Sequence, residues 1–378
     1  MKKTWNRLFL MALILLIAAC AKPVKKKELG VFFPPAPELP RVQFLTSFTG
    51  LKDIEEQSSF NKFVVGEKQN RRLDKPYGVG IYGGKIYVCD TNDTVVVFDL
   101  KTKTYEAMGG ATGPGKLIEP LNISIEPDGT KYVTDPVRGQ VVVFDAMDNY
   151  VRAYGVPGNW KPVDAVVFED RLYVVDNQNA NVRVFDKSSG DEVKTIGDKG
   201  ESKERLNRPT NIIFSRDGML YVTDFGRFQV VKYDRDGHYL GTVGGIGDSV
   251  SHFARPKGTA TDRDGRLYVV DAAFNNVQLF NKEGRLLLAF GQGGEKPGDF
   301  LLPAKVVVDY DNVQYFQKYA GADFQIEYLI LVTSQFGDHA ISVLGFGKQK
   351  GKKYPTDEEL LKQIEQKKKQ EEQQQNPQ

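Results

Sequence analysis

Four polar side chains occupy the same position of a regularly spaced pattern and could bind a ligand or an ion. Each lies two residues after a proline, and the four are Asn122, Asp164, Asn211 and Lys305. Carboxylate and amide oxygens are the ligands that Ca²⁺ prefers, so Asn122, Asp164 and Asn211 are also candidate metal ligands. The alternative is that these side chains hydrogen-bond to nearby loop backbone, as Asn and Asp often do. A shared site requires a fold that brings the four together.

The prolines that precede these residues mark an internal repeat. They are Pro76, Pro120, Pro162, Pro209, Pro256 and Pro303. Their spacings of 44, 42, 47, 47 and 47 residues lie in the range that is typical of β-propeller blades. In the fourth repeat, β-rich runs alternate with Asp-Gly turns at 217–218 and 236–237. This pattern predicts four short antiparallel strands in each blade.

The sixth repeat ends after its third predicted strand, Ala340 to Leu344, and lacks a fourth. Upstream of the first proline, the segment from Arg41 to Gly50 resembles the fourth strands of other repeats. We expect this N-terminal strand to complete the last blade, which closes the ring without unpaired edges. The sequence therefore predicts an all-β, six-bladed propeller of four-stranded antiparallel blades over residues 41–346.

An aspartate ends the second predicted strand of each of the first five repeats. The five are Asp90, Asp135, Asp176, Asp224 and Asp271. A short acid at a strand-to-turn junction commonly accepts hydrogen bonds from turn backbone. We therefore predict a structural role for this set.

The repeat resembles the NHL family. The resemblance rests on the initial proline and on the runs Leu-Tyr-Val-Val-Asp and Asn-Val-Gln-Leu-Phe-Asn-Lys-Glu-Gly within 267–284, and it covers residues 41–346. It implies that the loops between blades share a top face with those joining second to third strands, so that Asn122, Asp164, Asn211 and Lys305 lie at the channel mouth there. NHL propellers include protein-binding platforms, sensor domains, RNA-binding domains and an amidating lyase, so function must be argued from the site.

Basic and aromatic residues near the prolines suggest a partner-binding rim on the top face. The candidates are Trp160, Arg208, Phe253 and Arg255. Arginine and large aromatic residues are enriched at protein-binding hot spots. The alternative is that Trp160 and Phe253 pack between blades.

An insertion interrupts the sixth repeat at residues 310–328, on the opposite face. It is rich in Tyr and Phe and includes Tyr315, Phe316 and Tyr319. Aromatic insertions of this kind favour partner docking. The alternative is an extended hairpin that packs on its own blade.

Enzyme functions find little support in the sequence. The NHL-type lyase binds zinc through histidines, but the three histidines here, His238, His252 and His339, are expected on different faces. No nucleophile elbow or phosphate-binding loop is present. Six-bladed lactonases hold calcium in the channel, so a calcium-dependent hydrolase is the alternative function. A single carboxylate among the candidate ligands is little charge for Ca²⁺, and we expect no cofactor.

The N-terminus predicts export and lipidation. Three basic residues precede an apolar stretch from Leu8 to Ile17, and the tetrad Ile17 to Cys20 resembles the lipobox of bacterial lipoproteins. We predict a signal peptide at 1–19, acylation of Cys20, which anchors the chain to membrane lipid, and a Pro-rich linker over 20–40. Ala21 is typical of lipoproteins sorted to the outer membrane, if the host has two membranes.

The C-terminal residues 347–378 are rich in Lys, Glu and Gln, which predicts a charged, solvated tail. The alternative is a docking helix with a short apolar stripe, Leu360, Leu361 and Ile364. Over the whole chain, 51 basic residues balance 49 acidic ones, which argues against nucleic-acid binding. Together these features predict a lipid-anchored, noncatalytic binding protein of the bacterial envelope, whose partner is a protein or, as the alternative, a glycan.

Overall fold

The computed structural model describes residues 30–54, 71–92 and 94–375. The predicted signal peptide and Cys20 lie outside these residues. The described chain forms six antiparallel sheets in sequence order. Inner strands of successive sheets contact each other, and the sixth returns to the first. The predicted six-bladed propeller is confirmed.

Each blade has four main strands, counted outward from the channel. The inner strands are β3 (Pro76–Tyr82), β7 (Asn122–Ile125), β11 (Pro162–Phe168), β15 (Pro209–Phe214), β19 (Pro256–Thr261) and β23 (Pro303–Asp309). The second strands are β4 (Lys85–Asp90), β8 (Lys131–Asp135), β12 (Arg171–Asp176), β16 (Leu220–Asp224), β20 (Leu267–Asp271) and β24 (Phe324–Ser334). The third strands are β5 (Val95–Asp99), β9 (Gln140–Phe144), β13 (Asn181–Asp186), β17 (Gln229–Tyr233), β21 (Asn276–Phe280) and β25 (Ile341–Gln349). The fourth strands are β6 (Thr104–Ala107), β10 (Tyr150–Tyr154), β14 (Glu192–Ile196), β18 (Tyr239–Gly244), β22 (Leu286–Phe290) and β2 (Val42–Phe48).

The last blade closes as predicted, because β2 pairs with β25 through contacts such as Val42 opposite Phe346. A fifth strand, β1 (Phe32–Phe33), lies outside β2. The Phe32 ring packs 5.6 Å from that of Phe324, and the Phe33 ring packs 6.1 Å from that of Phe290. The predicted linker therefore folds back onto blade six from residue 31 onward, because two adjacent aromatic side chains gain burial there.

The C-terminal segment differs from the solvated tail that we expected. Strand β25 continues to Gln349, and helix α1 (Asp357–Gln375) follows it. Leu361 is buried against blade five, and the Asp357 carboxylate accepts a hydrogen bond of 2.8 Å from Arg266. The short apolar stripe is thus sufficient to dock the first turns of the helix. In the part of the chain that the structure describes, no helix is long and apolar enough to cross a membrane.

The core lies between the blades. Both faces of each blade contact a neighbouring blade. The second and third strands are therefore nearly continuous runs of apolar residues, without the alternation of apolar and polar residues that a half-exposed strand shows. Strand β5, for example, buries four consecutive residues, Val95 to Phe98. Cys89 is buried in β4, and burial raises the pKa of its thiol.

Candidate binding site in the central channel

The blade-opening prolines define three layers of the channel, counted from the top face. The upper layer is formed by the residues that directly follow the prolines, and the middle layer by those two positions after them. The lower layer begins three positions after them, with Val79, Ile123, Ala165, Ile212, Thr259 and Val306. In five of the six inner strands, the pairing with the second strand is irregular directly after the proline. Such irregularities change the direction in which the following side chains point. The upper and middle layers therefore contribute different side chains to the channel.

The middle layer contains a buried ion pair. The Lys305 ammonium donates a hydrogen bond of 2.5 Å to Asp164 Oδ2. Blades six and three are opposite each other in a six-bladed ring, so the Lys305 side chain crosses the channel. Asp164 Oδ2 also accepts hydrogen bonds from the Asn211 side-chain amide at 3.0 Å and from the Ile212 backbone at 3.2 Å. The structure therefore brings together three of the four predicted residues, but it buries them inside the channel and not at its mouth, where they were predicted.

The fourth residue, Asn122, uses its side chain mainly for structure. Its amide nitrogen donates a hydrogen bond of 2.7 Å to the carbonyl oxygen of Val163 in the next blade. Its side-chain oxygen is buried and has no hydrogen-bond partner among the described residues, and the same holds for Asn211. The expected backbone bonding is thus observed at Asn122, whereas Asn211 joins the ion-pair cluster.

The middle layer does not fit a calcium ion. Its only carboxylate, Asp164, already neutralises an ammonium at the oxygen that a metal would need. The two free amide oxygens of Asn122 and Asn211 add no charge. No group of three or more His, Cys, Asp or Glu side chains arranged for metal binding occurs in the described ranges. The three histidines are likewise separate, since His238 contacts Asp234, His252 contacts Ser249 and His339 contacts Ser47.

Below the ion pair, the channel widens into a cavity of about 680 Å³ that opens on the face opposite the top. All six residues that begin the lower layer line it, as do aliphatic side chains further along, such as Ile125, Val166 and Val308. Lys305 lies at its inner end. The inner walls of the cavity are thus mostly aliphatic and end on the buried charge pair, whereas polar and charged side chains such as Glu126, Arg263 and Asp309 also line it.

The sixth-blade insertion forms part of the rim of this cavity. Asn312 accepts a hydrogen bond of 2.8 Å from the Gly84 backbone of blade one, and Tyr315 packs against the same glycine. Tyr310 accepts one of 2.9 Å from the Arg263 backbone. Phe316, predicted to contact a partner, is instead buried in the core, because it packs against Phe48. Tyr315 is partly buried and Tyr319 is 43% exposed, so both remain accessible at this face.

The upper layer contains a second buried lysine that the sequence analysis missed. The Lys257 ammonium lies 4.8 Å from the centroid of the Tyr77 ring and 3.4 Å from Gln335 Oε1. Burial, together with the positive charges of Arg255 and Lys75, lowers its pKa to about 8. A cation directly after a blade-opening proline, where other repeats have apolar or uncharged residues, is the sequence signal that identifies it.

Trp160 and Phe253 do not belong to an exposed rim. Both are buried, since Trp160 donates a hydrogen bond of 2.8 Å to the Gly139 carbonyl and Phe253 packs against Phe280. Phe253 also covers Gly244, whose positive φ of 78° leaves no space for a side chain. The structure thus corrects this part of the prediction in favour of packing between blades. Equivalent buried residues precede the other prolines, namely Leu73, Leu117, Leu206 and Phe300.

Arg208 and Arg255 are exposed on the top face, so both remain available to a partner. The aspartates that end the second strands are buried and cap the loops before the prolines, as predicted. Asp224 accepts backbone hydrogen bonds from Asn207 and Arg208, and Asp271 accepts them from Ala254 and Arg255. Their structural role is confirmed.

Comparison with protein families supports the fold. The family model DUF5128, described as a 6-bladed beta-propeller, matches residues 161–253, which contain blades three and four. The match covers about a quarter of the chain. The closer resemblance to NHL repeats remains a prediction.

Solved structures show the same architecture with little sequence identity. A protein of unknown function from Bacteroides thetaiotaomicron is 16% identical, with a TM-score of 0.58, over 80% of this chain and 75% of that chain. A gluconolactonase from Xanthomonas campestris is 14% identical, with a TM-score of 0.53, over 80% and 89%. An auxiliary nutrient binding protein from Bacteroides thetaiotaomicron is 11% identical, with a TM-score of 0.53, over 72% and 69%. At such identities the similarity shows the fold alone.

Proposed function

We propose that this chain is a membrane-tethered, noncatalytic binding propeller that holds part of a protein partner in the open end of its channel. The observation that carries the proposal is the cavity of about 680 Å³, which has aliphatic inner walls and a rim that includes the sixth-blade insertion. Binding pockets of about 300 to 1,000 Å³ with apolar walls and few polar groups are typical of ligand sites. An apolar side chain or short segment of a partner fits such walls.

The chemistry of the channel favours binding over hydrolysis. Hydrolysis in the lactonase manner requires a metal or a free carboxylate in the middle layer, and Asp164 is neutralised there by Lys305. The hydroxyls of Ser124 and Thr259 on the walls below have no hydrogen-bond partner among the described residues, so no base activates them. Similar folds occur in a gluconolactonase and in a nutrient binding protein, so the fold leaves both classes open, and the neutralised Asp164 supports the binding class.

The membrane tether rests on the N-terminal sequence. Residues 1–19 have the pattern of an export signal, and Cys20 follows two alanines as in a lipobox. Acyl chains on Cys20 would hold the propeller at a bacterial membrane, with the outer membrane as the expected location in a host that has two. Replacing Cys20 with serine is expected to move the full chain from the membrane to the soluble fraction. Membrane retention of that variant would contradict lipid anchoring.

Site-specific photo-crosslinking in host cells tests the binding face. We expect a discrete adduct from a benzophenone side chain placed at Tyr315 or Tyr319, beside the cavity. The Val166→Trp substitution fills the cavity and should remove this adduct. Val193→Trp is the matched control, because Val193 belongs to the same blade but is 47% exposed on its fourth strand. Adducts that form equally with both variants, or no adduct at all, would overturn the proposal.

A further inference from the structure

The upper layer of the channel contains a buried positive charge that has no ion-pair partner among the described residues. Lys257 is 8% exposed, and its ammonium has the Tyr77 ring and the Gln335 amide oxygen as neighbours. Among the described residues no carboxylate forms an ion pair with it. Buried charges in proteins are normally paired, because transfer of an isolated ion out of water is strongly unfavourable. Lys257 therefore lacks the partner that its burial calls for.

The surroundings add further positive charge. Lys75 and Arg255 precede the prolines of blades one and five, are exposed, and both act on the Lys257 ammonium. The carboxylate of the middle layer, Asp164, is already paired with Lys305. Neighbouring charges of one sign, here Lys257, Lys75 and Arg255, concentrate ions of the opposite sign. The top of the channel consequently attracts anions.

A solvent-exposed cleft borders this layer at Gln335. This cleft of about 450 Å³ lies on the top face between blades one and six, and its lining includes Gln335, Asp74 and Arg72, which is ion-paired with Asp338. Gln335 thus connects the cleft to the Lys257 ammonium. Rotation of its amide would present the NH₂ group to an anion, so that Gln335 and Lys257 would donate hydrogen bonds together.

We propose that the upper layer is a binding site for a small oxyanion, a carboxylate or a phosphate group, which Lys257 contacts directly and Lys75 and Arg255 attract. A charge-assisted hydrogen bond to a buried ammonium is among the stronger polar contacts in proteins. This site is separated from the cavity of the proposed function by the Lys305–Asp164 pair. It does not depend on that function.

Calorimetric titration of the full chain tests the site. Sodium phosphate and sodium acetate are titrated separately at pH 7, with ionic strength held constant by sodium chloride. We expect saturable binding of at least one, which identifies a phosphate or a carboxylate as the preferred group. Lys257→Met should weaken it by about tenfold or more, since the charge-assisted contact is lost. Lys161→Met, which removes an exposed lysine before the proline of blade three, should leave it unchanged.

Two results would overturn the proposal. One is the absence of saturable binding of either anion beyond that of chloride. The other is an equal loss of affinity in Lys161→Met, because the effect would then be general surface attraction. Lys257→Gln, checked by its circular-dichroism melting curve, provides a second variant, so that a folding defect in one substitution does not decide the result.

Discussion

Two lysines enter the central channel from neighbouring blades, and both are buried. Lys305 is 6% exposed and pairs with the Asp164 carboxylate across the channel. Lys257 is 8% exposed and is surrounded by an aromatic ring, an amide and two further cations. They occupy adjacent layers, since Lys257 follows its proline directly and Lys305 lies one position further on.

This difference assigns a structural role to Lys305 and a binding role to Lys257 within the same channel. The paired lysine neutralises its layer and divides the channel, so that layer has no net charge to offer a ligand. The unpaired lysine leaves its layer positive, and its charge is stabilised only when an anion arrives. Burial alone therefore does not identify a binding residue. The presence or absence of a counter-charge does.

Removing the carboxylate partner of Lys305 should have the largest effect on stability. Asp164→Asn leaves the Lys305 ammonium buried without a carboxylate, and losing one partner of a buried pair typically destabilises by about 3–5 kcal/mol. We expect a loss of this size in the free energy of unfolding, measured by denaturant titration. The double variant Asp164→Asn with Lys305→Met should recover much of it, because no uncompensated charge remains.

An exposed pair provides the control for this substitution. Lys203 and Glu201 form an ion pair at 3.0 Å, with side chains that are 60% and 72% exposed. Glu201→Gln should change stability by less than about 1 kcal/mol, as is usual for surface pairs. If Asp164→Asn has an equally small effect, the Lys305 charge is solvated and the division of the channel into layers is wrong.

Replacing the unpaired lysine, Lys257, should change the free energy of unfolding in the opposite direction. Its pKa falls from 10.5 to about 8, which corresponds to an unfavourable contribution of about 3 kcal/mol at neutral pH. Lys257→Met keeps the length of the side chain and removes the charge. We therefore expect this variant to be more stable than the original chain, in a buffer without phosphate or carboxylate. A destabilised variant would mean that the ammonium has a partner.

The pH dependence of stability follows from the same lowering of the Lys257 pKa. Below pH 8 the ammonium is charged in the folded and the unfolded chain, so the unfavourable contribution is complete. Between pH 8 and 10.5 the unfolded chain binds more protons at this position than the folded chain, so stability rises with pH. The stability difference between Lys257→Met and the original chain should shrink across this range. A constant difference would show that titration of Lys257 is not its cause.

The repeat predicted the fold well because each blade contributes the same signals. Prolines, Asp-Gly turns and strand-ending aspartates recur, and the closure by β2 follows from the missing fourth strand. The ends of the chain could not be predicted in this way. Phe32 with Phe33, and Leu360 with Leu361, are single apolar pairs inside polar or proline-rich segments, and only the adjacent blade surfaces determine that they pack.

The site was predicted only in part, because composition does not show which way a side chain faces. Trp160 and Phe253 have the composition of a binding rim, yet they belong to a set of apolar residues two or three positions before the prolines that packs between blades. The position of these apolar residues relative to the prolines was visible in the sequence. Lys257 was missed because the candidates were sought one position further along. The pairing of Lys305 with Asp164 depends on the ring, which places blades three and six opposite each other.

The smallest expected effect concerns calcium. Asn122, Asp164 and Asn211 are oxygen ligands of the right kind, but the Lys305 ammonium occupies the side of Asp164 where an ion would bind. Calcium should therefore leave the melting temperature of the original chain unchanged. In Lys305→Met, the Asp164 carboxylate and the unpartnered amide oxygens of Asn122 and Asn211 become available, so a small calcium-dependent rise is expected in this variant. A rise in the original chain that Asp164→Ala abolishes would show that Lys305 leaves this position. The channel would then be a metal site, and hydrolysis would replace binding as the function to test.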